Sequence, residues 1–335
     1  MGSHVAAGET RSAALDFALL GLLALLWGSS YLFIKLAVGE IPPLTLIALR
    51  VTIASLFLLA VLFWRGERLP GQPAQWRRLL VQSFLNSIGA WTILAWGQQH
   101  VDSGPASVLN STSPIFVLLI TAGFTRHEPV GARRMAGALL GLGGVVLIVG
   151  TDALAGLGTQ VAGQLAALAG AVLYAFAAIY GRRLAGMSPA VIACGTMLWA
   201  TAVLVPASLF LDDPLALRPS PTAIGAATAL GLLSTGVALM IYFRLLTTLG
   251  SLGTASQAYL RAGIGVVLGM ALLGETLTPA TLAGIGCALG GVVMINLPRG
   301  KGRSLRTVNL RAPSRPAVPC LPSIRGRRRR RSTHR

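Results

Sequence analysis

The chain has 335 residues, of which 54% are hydrophobic and 11% charged, with 40 glycines and a formal net charge of +18. A water-soluble globular chain carries about 25% charged residues, so this composition excludes an ordinary soluble domain, and its apolar content also excludes a disordered chain. The charge is unevenly placed: 13 of the 28 Lys and Arg follow Pro298 and all 10 Asp and Glu precede it, leaving +5 on the body and +13 on residues 299–335.

A helix needs about 20 apolar residues to cross a hydrocarbon core, and ten windows meet that length. In chain order they are residues 17–38, 44–64, 79–99, 104–124, 135–151, 163–181, 188–211, 223–243, 252–273 and 279–297. The expected fold is an all-α integral membrane protein of ten transmembrane helices. Residues 1–16 read as a cytoplasmic N-terminal segment. Residues 299–335, rich in Pro, Ser and Arg and ending in the run Arg327–Arg331, read as a basic, disordered cytoplasmic tail. Positive residues are retained on the cytoplasmic side. With both termini inside, 24 of the 28 cations fall in cytoplasmic segments, and the opposite loops hold Arg218 as their one cation. Lys35, Arg50 and Arg261 fall within windows.

An offset of 147 residues brings Glu128 onto Glu275, Ala136-Gly137 onto Ala283-Gly284, and Leu142-Gly143-Gly144-Val145-Val146 onto Leu289-Gly290-Gly291-Val292-Val293. Each half then holds five spans. An odd number reverses direction, so the expected architecture is two inverted five-helix repeats, residues 17–151 and 163–298, with a substrate site near the midplane between them. Glycine spacings at Gly137-x-x-x-Gly141, Gly265-x-x-x-Gly269 and Gly286-x-x-x-Gly290 predict close helix packing, within the chain or in a homodimer. Glu128 and Glu275 lie at helix starts, where a carboxylate favours the positive end of the dipole.

Several segments carry a resemblance. The first span reads Trp27-Gly28-Ser29-Ser30-Tyr31 with Lys35 following, the second opens with Leu49-Arg50, and each half ends with a glutamate ahead of a Gly-rich helix. Over residues 17–298 the chain resembles the drug/metabolite transporter superfamily, specifically the ten-helix EamA-type transporters. The resemblance implies export of amino acids, including aromatic ones, or of other small metabolites. One departure is that Pro114 of the fourth span has its ninth-span counterpart replaced by Ala262.

An ionisable group inside a bilayer faces a wet cavity or a partner. Arg261 lies about nine residues, roughly 13 Å, from its span end and so near the midplane. Gln257 shares its helix face and Tyr259 stands beside it, while the first half offers Asn110 with Ser111 and Ser113. Trp27 and Tyr31, four apart, and Tyr174 of the sixth span are candidate aromatic walls, as are Trp96 and Gln98 of the third, where Trp91 and Gln99 are comparable. Lys35 is a further candidate, although Lys35 and Arg50 are close enough to the outer surface for their stems to snorkel. For most of these groups the plainer alternative is helix-to-helix packing or hydrogen bonding.

No HExxH, Gly-x-Ser-x-Gly or phosphate loop is present, and Cys194, Cys287 and Cys320 have no metal-ligand spacing, so neither enzyme activity, a metal nor a cofactor is expected. The expected function is a secondary transporter that exports amino acids or related small metabolites across a bacterial-type inner membrane by alternating access. The alternatives are an exchanger of anionic metabolites, a drug efflux carrier, or a channel or structural membrane protein. All ten carboxylates read as lying in loops or at span ends, which favours facilitated export or exchange over a proton relay. Expected partners are the substrate, the bilayer and, for the tail, anionic lipids, with the chain a monomer or homodimer.

Overall fold

Proline sets many of the helix starts: it has no N–H to lose in a first turn, and its φ is already near the helical value. A computed structural model describes residues 2–98, 100, 108–125, 131–150, 154, 157, 160–264 and 278–297, with the side chains among them other than those of 2–13, 31, 35, 98, 124 and 125. The helices are α1 Gly2–Gly28, α2 Ser30–Ala37, α3 Pro43–Arg65, α4 Pro73–Ser83, α5 Gly89–Gln98, α6 Ser113–Ile120, α7 Ala132–Val149, α8 Val161–Gly181, α9 Pro189–Leu211, α10 Pro221–Gly231, α11 Ala238–Thr248, α12 Gly250–Ala255 and α13 Pro279–Asn296. Residues 257–264 are also helical. Five of the helices start on proline, and Ser188, Ser220 and Thr278 cap α9, α10 and α13 by accepting from the backbone N–H three residues on. No strand occurs among the described residues.

Eight helices among the described residues are long and apolar enough to cross a membrane: Ala14–Ile34, Pro43–Arg65, Pro73–Gly97, Ala132–Val149, Val161–Leu184, Pro189–Leu211, Pro221–Thr248 and Pro279–Asn296. The chain is thus an all-helical, multi-pass membrane protein. The fourth window is a shorter apolar helix, Val108–Gly123, interrupted by a turn at Ser111-Thr112. The ninth runs beyond residue 264 into residues outside the described set, as do Glu128, Glu275, the Gly265–Gly269 pair and the basic tail. The first span begins at Ala14 rather than residue 17 and so takes in Asp16, which is buried. Asp16 is the third residue of that span and so lies at its end, as the other carboxylates were expected to do.

Two of the eight long spans contain a π-helical turn, Phe84–Ile88 between α4 and α5 and Leu232–Val237 between α10 and α11, and a further one, Thr121–Thr125, follows α6 in the shorter fourth-window helix. Under the 147-residue offset, Ser87 falls on Ser234 and Gly89 on Gly236, so the turns occupy matching places in the third and eighth windows. A π turn widens the helix locally and is frequent at functional sites.

Helix α7 packs against α13 through glycines. A Cβ on Gly137 would stand 2.9 Å from the Gly291 carbonyl oxygen, and one on Gly144 would stand 2.6 Å from that of Gly284. Rising residue numbers on one helix meet falling numbers on the other, so the two run antiparallel. The spacing used on α13 is Gly284 with Gly291; Gly286 faces open space, and Gly290 meets only Leu140 at van der Waals distance. Helices α3 and α9 also pair antiparallel: Thr45 bonds Ser208 and Asp212, while Ser55 bonds Thr201 at 3.0 Å. Two loop contacts accompany these pairs. Glu40 accepts from the N–H and hydroxyl of Ser220 at 2.6 and 2.8 Å, and Glu67 accepts from the Ser188 hydroxyl.

Candidate functional site

A cavity of about 330 Å³ lies among these helices, at the lower end of the ~300–1,000 Å³ typical of small-molecule pockets. It draws on Trp27 and Ser30 of the first span, Arg50 of α3, Asn86 of the first π turn, Trp91 of α5, Asn110 and Ser113 of the fourth window, Tyr174 of α8, Tyr242 of α11, and Gln257 and Arg261 of the ninth window. It reaches the surface beside Val38 and Pro43, where α2 turns into α3 and Val38 is exposed. At the opposite end, which carries Arg65, Arg77 and Arg182, the core holds buried leucines including Leu62, Leu79, Leu184 and Leu246, none of which lines the cavity.

Arg50 is held by three contacts. Its guanidinium lies 4.1 Å from the Trp91 ring centroid, its Nε donates to Thr235 Oγ1 at 2.6 Å, and a terminal nitrogen donates to the Ser234 carbonyl at 3.4 Å. The Thr235 hydroxyl in turn donates to the Leu230 carbonyl, five residues back, at 2.9 Å. The π turn Leu232–Val237 thus presents the acceptors that orient Arg50, and stacking on an indole face stabilises a cation away from bulk water. Among the described lining residues there is no Asp or Glu. The amide oxygens of Asn110 and Gln257 are buried with no hydrogen-bond partner in the protein. Trp27 packs on Tyr242 with centroids 5.4 Å apart, forming an aromatic wall.

Of the residues picked from the sequence, Arg261, Gln257, Asn110, Trp27 and Tyr174 line the cavity together. Tyr259 does not. It is fully buried, packs against Gly141 and donates its hydroxyl to the Ala138 carbonyl at 3.0 Å, fixing the ninth window to α7. Trp96 is 48% exposed and stacks on His100 away from the cavity, because it lies on the opposite face of its helix from the lining residues Leu94 and Ala95. The side chains of Tyr31, Lys35 and Gln98 lie outside the described set. Arg50 does not snorkel: only 9% exposed, it is turned inward by Thr235 and Trp91. Asn86 and Tyr242 were not foreseen. The signal for Asn86 was a polar run, Gln82-Ser83 and Asn86-Ser87, four residues apart in an apolar window.

Comparison with known proteins follows the same lines. The profile of the EamA-like transporter family matches residues 17–150 and again 161–297. The chain is 30% identical over 286 residues to the uncharacterized inner membrane transporter YedA of Escherichia coli (strain K12), covering 84% of this chain and 90% of that protein. A probable terminal-alkyne amino-acid exporter of Streptantibioticus cattleyicolor is 27% identical over 279 residues, covering 83% and 92%. A solved crystal structure superposes with a TM-score of 0.72 at 24% identity, covering 85% of this chain and 98% of that one.

Proposed function

The chain belongs to the EamA-like transporter family, and from that premise we propose that it is a secondary transporter exporting amino acids or related small metabolites across the cytoplasmic membrane by alternating access. The observation that carries the reading is the cavity chemistry. Arg50 and Arg261 supply cations for a carboxylate, the amide oxygens of Asn110 and Gln257 supply acceptors for an ammonium group, and Trp27 with Tyr242 supplies a wall for an apolar side chain. A charge-assisted bond to each end of a zwitterion fixes its orientation, and each such bond is stronger than a neutral one. Tyr31, Lys35 and Gln98 remain candidates for the same site.

The carrier architecture we propose is ten helices in two inverted repeats, residues 17–151 and 163–298, with both termini cytoplasmic and a basic tail able to contact anionic lipids. Supporting it are the twofold match of the family profile, the matching π turns, and the antiparallel pairing of α7 with α13 and of α3 with α9. Facilitated export or exchange is the proposed energy source, since the described cavity lining holds no carboxylate to relay a proton.

The test is counterflow into proteoliposomes with a labelled amino-acid panel, with and without unlabelled substrate inside. Saturable uptake stimulated by internal amino acid is the expected result, and Arg261→Ala is expected to lose it while still inserting. A second reading, exchange of anionic metabolites, is favoured by two arginines with no described acidic lining residue. It replaces the first if phosphorylated or dicarboxylate compounds compete and amino acids do not. Absence of counterflow with any solute supports a channel or structural role instead.

A further inference from the structure

Helix α4 carries a fully buried glutamine that the packing leaves without a role. Gln82 is 0% exposed, and neither its Oε1 nor its Nε2 has a hydrogen-bond partner in the protein. Its amide stands over Gly181, where an added Cβ would come within 3.5 Å of Oε1 and 3.7 Å of Nε2, and the same spot is crowded by a Leu246 methyl at 2.6 Å. A buried amide with both ends unpaired is costly, and leucine at this position would avoid that cost.

Its place in the fold suggests why it is there. Asn86, which lines the cavity, lies four residues further along on the same helix face, and exposed Arg78 lies four residues before it. At 1.5 Å per residue, each step is roughly 6 Å. Gln82 therefore lies between the cavity lining at Asn86 and the exposed end of the bundle at Arg78. Its neighbour Gly181 is likewise close to that end, since it is followed directly by exposed Arg182 and Arg183.

Resting on the carrier reading above, we propose that Gln82 is a second, transient substrate-contacting site, which bonds the polar head group of a zwitterionic solute when the bundle opens at its basic end. In the conformation described here, Leu246 and Gly181 close over it. When they part, the amide faces the same path as Asn86 and regains hydrogen-bond partners from solute or water. The unpaired amide thereby raises the energy of the conformation closed at this end, and makes opening easier than a leucine would.

Two measurements test this on the full-length protein in vesicles. In the first, Gln82→Cys is exposed to a positively charged methanethiosulfonate added to one side or the other, with modification located by peptide mass spectrometry and Arg78→Cys as the exposed control. We expect Gln82→Cys to react at least about tenfold faster from the basic end than from the Val38 end, a state that opens only part of the time. No reaction while Arg78→Cys is fully modified, or faster reaction from the Val38 end, overturns the proposal. This measurement needs no substrate, so it stands apart from the amino-acid assignment: a failed transport panel with positive labelling removes the substrate class and keeps the path. The second uses Gln82→Met with labelled phenylalanine. We expect binding within about twofold of the parent and turnover lowered about tenfold, with Gln82→Asn partly restoring it. Parent turnover in Gln82→Met overturns the proposal, and Gln82→Met also serves if Gln82→Cys does not fold.

Discussion

Substituting alanine for Gly144 tests the helix pair at the centre of the fold against a control one residue away. A Cβ at position 144 would stand 2.6 Å from both the Gly284 carbonyl oxygen and the Ala288 backbone nitrogen, whereas one at Gly143 meets nothing within 4 Å. Ordinary contacts for such an atom lie at 3.4–4 Å, so α7 and α13 must separate by close to an ångström. The obstructing atoms are backbone, and no rotamer change relieves them. Overpacking of this kind costs about 1–3 kcal/mol. Both substitutions share the gain of replacing glycine in a helix, up to about 1 kcal/mol, so their difference isolates the clash. Gly143→Ala is expected to be neutral or slightly stabilising, and Gly144→Ala to be less stable than Gly143→Ala by about 1–3 kcal/mol. The assay is thermal unfolding of the purified protein in one detergent, with Gly284→Ala and Gly286→Ala as the corresponding pair on α13. Equal stability of Gly144→Ala and Gly143→Ala would refute the contact.

Arg50→Met removes the Trp91 stack and the Thr235 bond together and is expected to lower transport about tenfold or more, with Arg50→Lys failing to restore it because an ammonium lacks the planar fork; counterflow reads both. The Ser220 N–H and hydroxyl hold the Glu40 carboxyl below the usual carboxylate range. A depressed carboxyl contributes stability above its unfolded pKa and loses it as pH falls through the folded value. Wild-type melting temperature is therefore expected to fall more steeply below about pH 5 than that of Glu40→Gln. Tyr259→Phe removes one buried bond to the Ala138 carbonyl, so stability is expected to drop by about 0.5–1.5 kcal/mol with counterflow unchanged. Trp96→Ala is likewise expected to transport normally, and a large loss in either variant would place that side chain on the substrate path.

Apolar windows of the right length and the uneven charge pointed to a helical membrane protein, and the resemblance carried by Trp27–Tyr31, Leu49-Arg50 and the repeated glutamate-to-glycine block pointed to the EamA type, which the family profile bears out. These properties are local: a span is defined by its own composition, because the bilayer demands apolar side chains and internally satisfied backbone wherever the helix lies. Composition also placed Arg261, Gln257, Asn110, Trp27 and Tyr174 as candidates, since a polar or aromatic group in such a span needs an explanation. Which of those groups share a cavity was settled by the rotation of each helix about its axis, which depends on its neighbours. Tyr259 illustrates this. It is two residues from Gln257, and that shift turns it onto Gly141 and away from the cavity. Arg50 illustrates the reverse. In sequence it stands near a span end, where a long stem reaches water, but its guanidinium is turned inward by Trp91 and by a π turn some 185 residues away in the chain. The cavity therefore depends on contacts between segments far apart in sequence, while the spans that build it follow from the residues of each segment alone.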